Sequence, residues 1–139
     1  MSSRPWGYRS GPYVIRKYLM DSNTVAAISP GDFVVEVSDG YVGQCAAGGL
    51  PVGVAVSAGA DPSADGLSAV YVSIDPNAVY EYPPDAGSVA QTLVNKSMDV
   101  GGAQTVDINT SDDDVILVVG VDTERNTVFC KLKPTFTSL

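Results

Sequence analysis

Sixteen carboxylates and two thiols are the groups in this 139-residue chain that could carry a reaction, because it contains no histidine. That absence removes the usual general base near neutral pH and the commonest metal ligand. Ser-His-Asp and Cys-His nucleophile systems are excluded with it, as are zinc sites built on His. Glu81, flanked by Tyr80 and Tyr82, has the chemistry of a glycosidase acid, but the sequence offers no partner carboxylate at a definable distance. Asp112-Asp113-Asp114 is the densest acidic run. Adjacent carboxylates in a turn can ligate calcium, which takes six to eight oxygens. The run lacks the Asp-x-Asp-x-Asp-Gly spacing and distal Glu of an EF-hand, so it reads as a solvated turn before the apolar strand at Val115. Asp61 and Asp65 read the same way in their long loop. Gly48-Gly49-Leu50-Pro51 has no helix after it to hold a phosphate and reads as a turn. The expectation is no enzyme, no metal and no cofactor.

Cys45 and Cys130 lie far apart with no CxxC pattern. The start, Met1-Ser2-Ser3-Arg4-Pro5-Trp6-Gly7, lacks the apolar core of a secretory signal. Synthesis in a cytoplasm is therefore expected, with the two cysteines as small buried hydrophobes; a disulfide and a reactive thiol are the alternatives. No stretch approaches the ~18 apolar residues that a helical membrane span needs.

Charge is distributed unevenly. Residues 1–17 carry Arg4, Arg9, Arg16 and Lys17 and no acid, with Trp6, Tyr8 and Tyr13 interleaved. All sixteen acids follow, through Glu124, against a single base, Lys96. Arginine and aromatic residues are enriched at protein interfaces, where they bury area with directional polar contacts. Residues 1–17 are thus expected to form a basic aromatic arm and residues 18–139 a β-rich body. Arg4, Trp6, Tyr8, Arg9 and Tyr13 are the candidate partner-binding residues, anchoring on a second copy or on another protein. Packing of the arm on its own body and disorder are the alternatives. Pro5, Gly7, Gly11 and Pro12 make residues 1–12 a poor strand, so their removal is expected to leave the body folded. The acidic body disfavours nucleic acid, whose phosphates demand positive charge. Charged residues are only 17 % of the chain, fewer than soluble domains usually carry, as expected if part of the surface is hidden in an assembly.

The rest of the chain reads as short strands. Asp32 to Val37 is β-branched, opened by Ser29-Pro30-Gly31 and closed by Ser38-Asp39-Gly40, with Tyr41 to Ala46 as its return arm. Tyr13 to Met20, Val52 to Val56, Ala69 to Ile74, Val79 to Tyr82, Thr105 to Ile108, Val115 to Val121 and Thr127 to Leu132 complete the set. One helix is expected at Ser88 to Met98, from the spacing of Val89, Leu93 and Val94. The pattern predicts an all-β fold, an antiparallel β-barrel or sandwich with an extended N-terminal arm and at most one short helix.

Ile74-Asp75-Pro76-Asn77-Ala78-Val79-Tyr80-Glu81 resembles a segment of tailed-bacteriophage capsid decoration, or cement, proteins: a strand ends in Asp-Pro and an apolar-aromatic-Glu step follows. The likeness continues through a Gly/Ala-rich segment, Val115 to Asp122, a polar turn and Thr127 to Leu132. Upstream, Ser29-Pro30-Gly31-Asp32-Phe33-Val34 and Pro51-Val52-Gly53-Val54-Ala55 resemble the early β-rich part of such proteins, so the likeness spans residues 25 to 133. Tyr82-Pro83-Pro84 and the basic arm depart from the pattern.

The resemblance implies a non-enzymatic virion structural protein, a homotrimer on the outer capsid surface that binds the major capsid protein and stabilises contacts between its subunits. It brings no catalytic residues. An all-β receptor- or carbohydrate-binding phage module is the alternative, and it would present a shallow aromatic platform. A nucleic-acid-binding β-barrel would instead use the arm on phosphate.

Overall fold

The computed structural model describes residues 6–22, 27–60, 62 and 64–133. They form eleven strands: β1 Gly7–Ser10, β2 Ile15–Leu19, β3 Phe33–Ser38, β4 Tyr41–Gln44, β5 Gly53–Ala55, β6 Ala69–Ser73, β7 Val79–Tyr82, β8 Ser97–Gly102, β9 Thr105–Asp107, β10 Ile116–Asp122 and β11 Thr127–Leu132. Two antiparallel sheets result, one ordered β1-β7-β11-β10-β8-β9 and the other β2-β6-β5-β3-β4. The fold is an all-β sandwich and not a closed barrel. Each sheet nevertheless curls, through the parallel bridges Met20↔Val42 and Pro84↔Val106.

The two-residue period of a strand explains why there are two cores. Phe33 and Val54 point into the larger one, with Tyr80, Tyr82, Met98, Ile116, Val118, Val128 and Cys130 of the first sheet. Their neighbours Val34 and Ala55 point the other way, into a second core with Met20, Ile28, Val42, Val70 and Val72. The second sheet is therefore buried on both faces near its centre. Phe33 and Tyr82 meet across the sheets with ring centroids 4.3 Å apart, and the Tyr82 hydroxyl donates to the Gly31 carbonyl at 2.5 Å. Asp32 fastens the same junction. Its buried carboxylate accepts from the Ser29 backbone N–H and from the side-chain amides of Gln44 and Gln104 at 2.7–2.9 Å.

The helix expected at Ser88 to Met98 is not there. Gln91–Leu93 is a single 3-10 turn with no buried residue, and Met98 lies in β8. Asn95 sits at φ +71°, a left-handed conformation that ends helical winding and that Asn tolerates. Its backbone N–H instead donates to Val118 at 2.8 Å, tying the segment to β10. Val89 and Leu93, two of the positions that suggested a helical stripe, pack on the larger core.

Candidate functional site

The N-terminal segment is extended, as expected, but its described part is docked on this chain and is no separate unit. Gly7↔Glu81 and Tyr8↔Tyr80 are register pairs of β1 with β7, and a bulge follows before Ser10↔Val79. Gly7 adopts φ +117°, and a Cβ there would stand 3.1 Å from the Gly31 backbone. The glycine that made a strand look poor is what lets β1 lie this close to the body. β2 likewise belongs to the second sheet, paired along its length with β6. The expected boundary after residue 17 therefore falls between no two units of the described structure.

Glu81 is the residue that receives β1. Its side chain is fully buried, and it accepts from Arg9 Nε at 2.8 Å, Arg125 Nε at 3.0 Å and Thr127 Oγ1 at 2.7 Å. Burial alone would raise its pKa. The hydrogen bonds from Thr127 and Arg9, with the charges of Arg125 and Arg9, outweigh that and hold it below the usual glutamate value. Arg125 also lies 5.6 Å from the Trp6 ring centroid, in cation–π contact. The carboxylate thus joins β1, β7 and the start of β11 in one knot. It faces two arginines and a hydroxyl, an arrangement that orders strands.

The candidate partner-binding residues divide accordingly. Arg4 lies outside the described residues. Trp6 is half-buried against the larger core. Tyr8 packs on the same core, 6.4 Å from the Tyr80 ring, and donates its hydroxyl to Gly11 at 2.6 Å. Arg9 is spent on Glu81, its side chain only 12 % exposed. Tyr13 alone of the described candidates stays open, 56 % exposed, with its ring 4.7 Å from Tyr8.

From Tyr13 an exposed strip runs along β2. Val14, Ile15 and Leu19 are exposed, and so is Tyr71, which pairs opposite Lys17 on β6. β2 is an edge strand. Ile15, Lys17, Leu19 and Tyr71 share one face, because register partners in an antiparallel pair point the same way and strand residues alternate. Of the described candidates, those before Pro12 dock on this chain, and the exposed surface begins at Tyr13. The signal in the sequence was the apolar alternation Tyr13-Ile15-Leu19, interrupted by Lys17, on a strand with no acid.

The acidic run at 112–114 also has a defined role. Asp99 is buried, and its carboxylate accepts the backbone N–H groups of Asp112, Asp113 and Asp114 at 3.0, 2.8 and 2.9 Å. Burial works against the charged form, but these three donors prevail and lower its pKa. The run's N–H groups thus cradle an anion the protein itself supplies. Asp107 pairs opposite Asp99 and Asp85 lies beside Gly101, so one end of the first sheet gathers six acids. Among the described residues no group of His, Cys, Asp or Glu is arranged to hold a metal ion. Asp61 lies outside the described residues, while Asp65 accepts the Ser22 N–H at 2.7 Å.

Cys45 and Cys130 are both buried free thiols. Burial pushes each up to about 12, which suits packing and not nucleophilic chemistry. No described helix is long and apolar enough to cross a membrane. Comparison with protein-family models, with curated proteins and with solved structures found no match.

Proposed function

We propose that this chain is a non-enzymatic virion structural protein that decorates the outer surface of a phage capsid as a homotrimer and stabilises contacts between major capsid protein subunits. The observation that carries the reading is the exposed apolar and aromatic strip of Tyr13, Ile15, Leu19 and Tyr71 along edge strand β2 and its neighbour β6. Such a strip is costly to leave in water and suits a protein partner. The sequence resemblance to decoration proteins supplies the partner class. The segment carrying it, Ile74 to Glu81, forms the β6–β7 turn, where Asp75 accepts the Asn77 N–H at 2.8 Å, and ends on the carboxylate that anchors β1.

The mechanism is mass action. A ligand that binds the assembled shell and not its free subunits stabilises the shell by RT ln(1 + [L]/Kd). Several copies on one oligomer add avidity, since each further contact is intramolecular. The test is co-sedimentation of the purified chain with expanded shells, followed by imaging of the particles. Regular density on the outer face and slower thermal disruption of the shells are expected. Absence of binding to any shell, with the chain folded, refutes the reading.

A further inference from the structure

We infer that two copies of this chain meet head to tail, the β2 strip of one seated on the acidic end of the next at Asp107, Asp112 and Asp113. The inference deepens the oligomer part of the proposed function and rests on it.

Three observations point to this occupant. First, the strip is cationic as well as apolar: Lys17 stands exposed on the same face as Ile15, Leu19 and Tyr71, and Arg16 stands exposed on the opposite face of the same edge strand. Neither makes an ion pair among the described residues, whereas Arg9 and Arg125 are both matched to Glu81. Second, Asp112 and Asp113 are exposed and Asp107 half-buried, and none of the three pairs with a base among the described residues. The backbone N–H groups of Asp112 and Asp113 are held by the Asp99 carboxylate, and Asp107 pairs opposite Asp99 in the sheet. Third, the chain has formal net charge −8. Copies therefore repel one another unless a cationic patch meets an acidic one, and β2 is the described strand with two unmatched bases.

The two patches differ, so the contact is heterologous. Such contacts repeat around an axis and close into a ring when the rotation allows. The apolar residues supply the buried area and the charges fix register and on-rate.

The test uses the full chain and three variants, with mass photometry and sedimentation velocity across salt concentrations. Reversal of the basic patch, Arg16→Glu with Lys17→Glu, is expected to weaken self-association on the order of 100-fold through like-charge contact. Reversal of the acidic patch, Asp112→Lys with Asp113→Lys, is expected to do the same, and it keeps the backbone N–H groups that Asp99 needs. The chain carrying all four changes restores opposite charges across the contact and is expected to reassemble. Circular dichroism and urea midpoints confirm that each variant is folded. Failure of the fourfold variant to recover overturns the inference, as does wild-type assembly by either double variant. A wild-type chain that is monomeric yet binds shells overturns the inference and leaves the decoration reading standing. Assembly as described without shell binding does the reverse.

Discussion

Replacing Glu81 by Gln tests whether a buried charge holds the N-terminal strand. The change keeps shape and one carbonyl oxygen but removes the charge that Arg9, Arg125 and Thr127 address together. Each charge-assisted bond exceeds its neutral counterpart by about 1 kcal/mol, and three are weakened. Removing one partner of a buried pair costs about 3–5 kcal/mol. Arg125 is 40 % exposed and can rehydrate, so a loss of about 3 kcal/mol is expected, the lower end of that range. For a chain of this size that lowers Tm by roughly 10 °C. Trp6 is the only tryptophan and touches Arg125, so its fluorescence reports release of β1 separately from global unfolding by circular dichroism. The pH dependence has a definite sign. Glu81 titrates lower in the folded than in the unfolded chain, so its contribution is complete above the unfolded value of about 4.3 and is lost as pH falls through the folded pKa. The gap between wild type and Glu81→Gln should therefore be widest near neutrality and close in acid. A loss under about 1 kcal/mol at pH 7, or a gap that does not change with pH, refutes the reasoning.

Asp99→Asn exchanges a carboxylate for a group with one acceptor, leaving at least one N–H of residues 112–114 without its partner; a loss of about 1–3 kcal/mol is expected, with faster amide exchange confined to that turn. Tyr82→Phe removes the 2.5 Å bond to Gly31 and leaves a buried carbonyl underserved, for about 1–2 kcal/mol in urea denaturation at unchanged secondary structure. Cys45 and Cys130 should react with a thiol reagent at pH 8 only as fast as the chain unfolds, because both thiols are buried and titrate near 12; rapid labelling of either in the native state contradicts this. Deleting residues 1–10 strips Arg9 from a buried Glu81 and uncovers the β7 edge, so the body should lose about 3–5 kcal/mol instead of folding unchanged; an unaltered urea midpoint would show that β1 adds nothing.

The strands that the sequence shows best are those whose turns have their own chemistry. Ser38-Asp39-Gly40 and Asp122 to Asn126 sit between runs of β-branched residues, and both hairpins form, β3–β4 and β10–β11. Asp39, Gly40 and Asn126 all take positive φ, which is why Asp, Gly and Asn stand there. β1 and β8 were hidden. β8 is Ser97–Gly102, and its Asp and two glycines carry weak strand propensity. Pairing to β9 and β10 and the packing of Met98 and Val100 make it a strand. β1 is hidden for the same reason, its Gly7 being chosen for close approach and not for propensity. Tertiary contact overrode local preference in both, and for β1 no local pattern reports a partner some seventy residues away.

That override also changes what the composition of the first residues means. Arg9, Trp6 and Tyr8 have the composition of an interface, and they do form one, but with their own chain: a strand crossing a sheet edge is an interface in cis. Composition detects desolvated cation–aromatic contact and is blind to which molecule supplies the other side. The distinction lies in whether each charge is answered. Glu81 answers Arg9 from a fully buried position, and the pairing spends Arg9's positive charge locally. Arg16 and Lys17 have no such answer among the described residues, and Lys17 shares a face with exposed Ile15, Leu19 and Tyr71. An unmatched base beside unburied apolar area is the combination that a second molecule relieves on both counts, so the proposed contact is placed on β2 and not on β1.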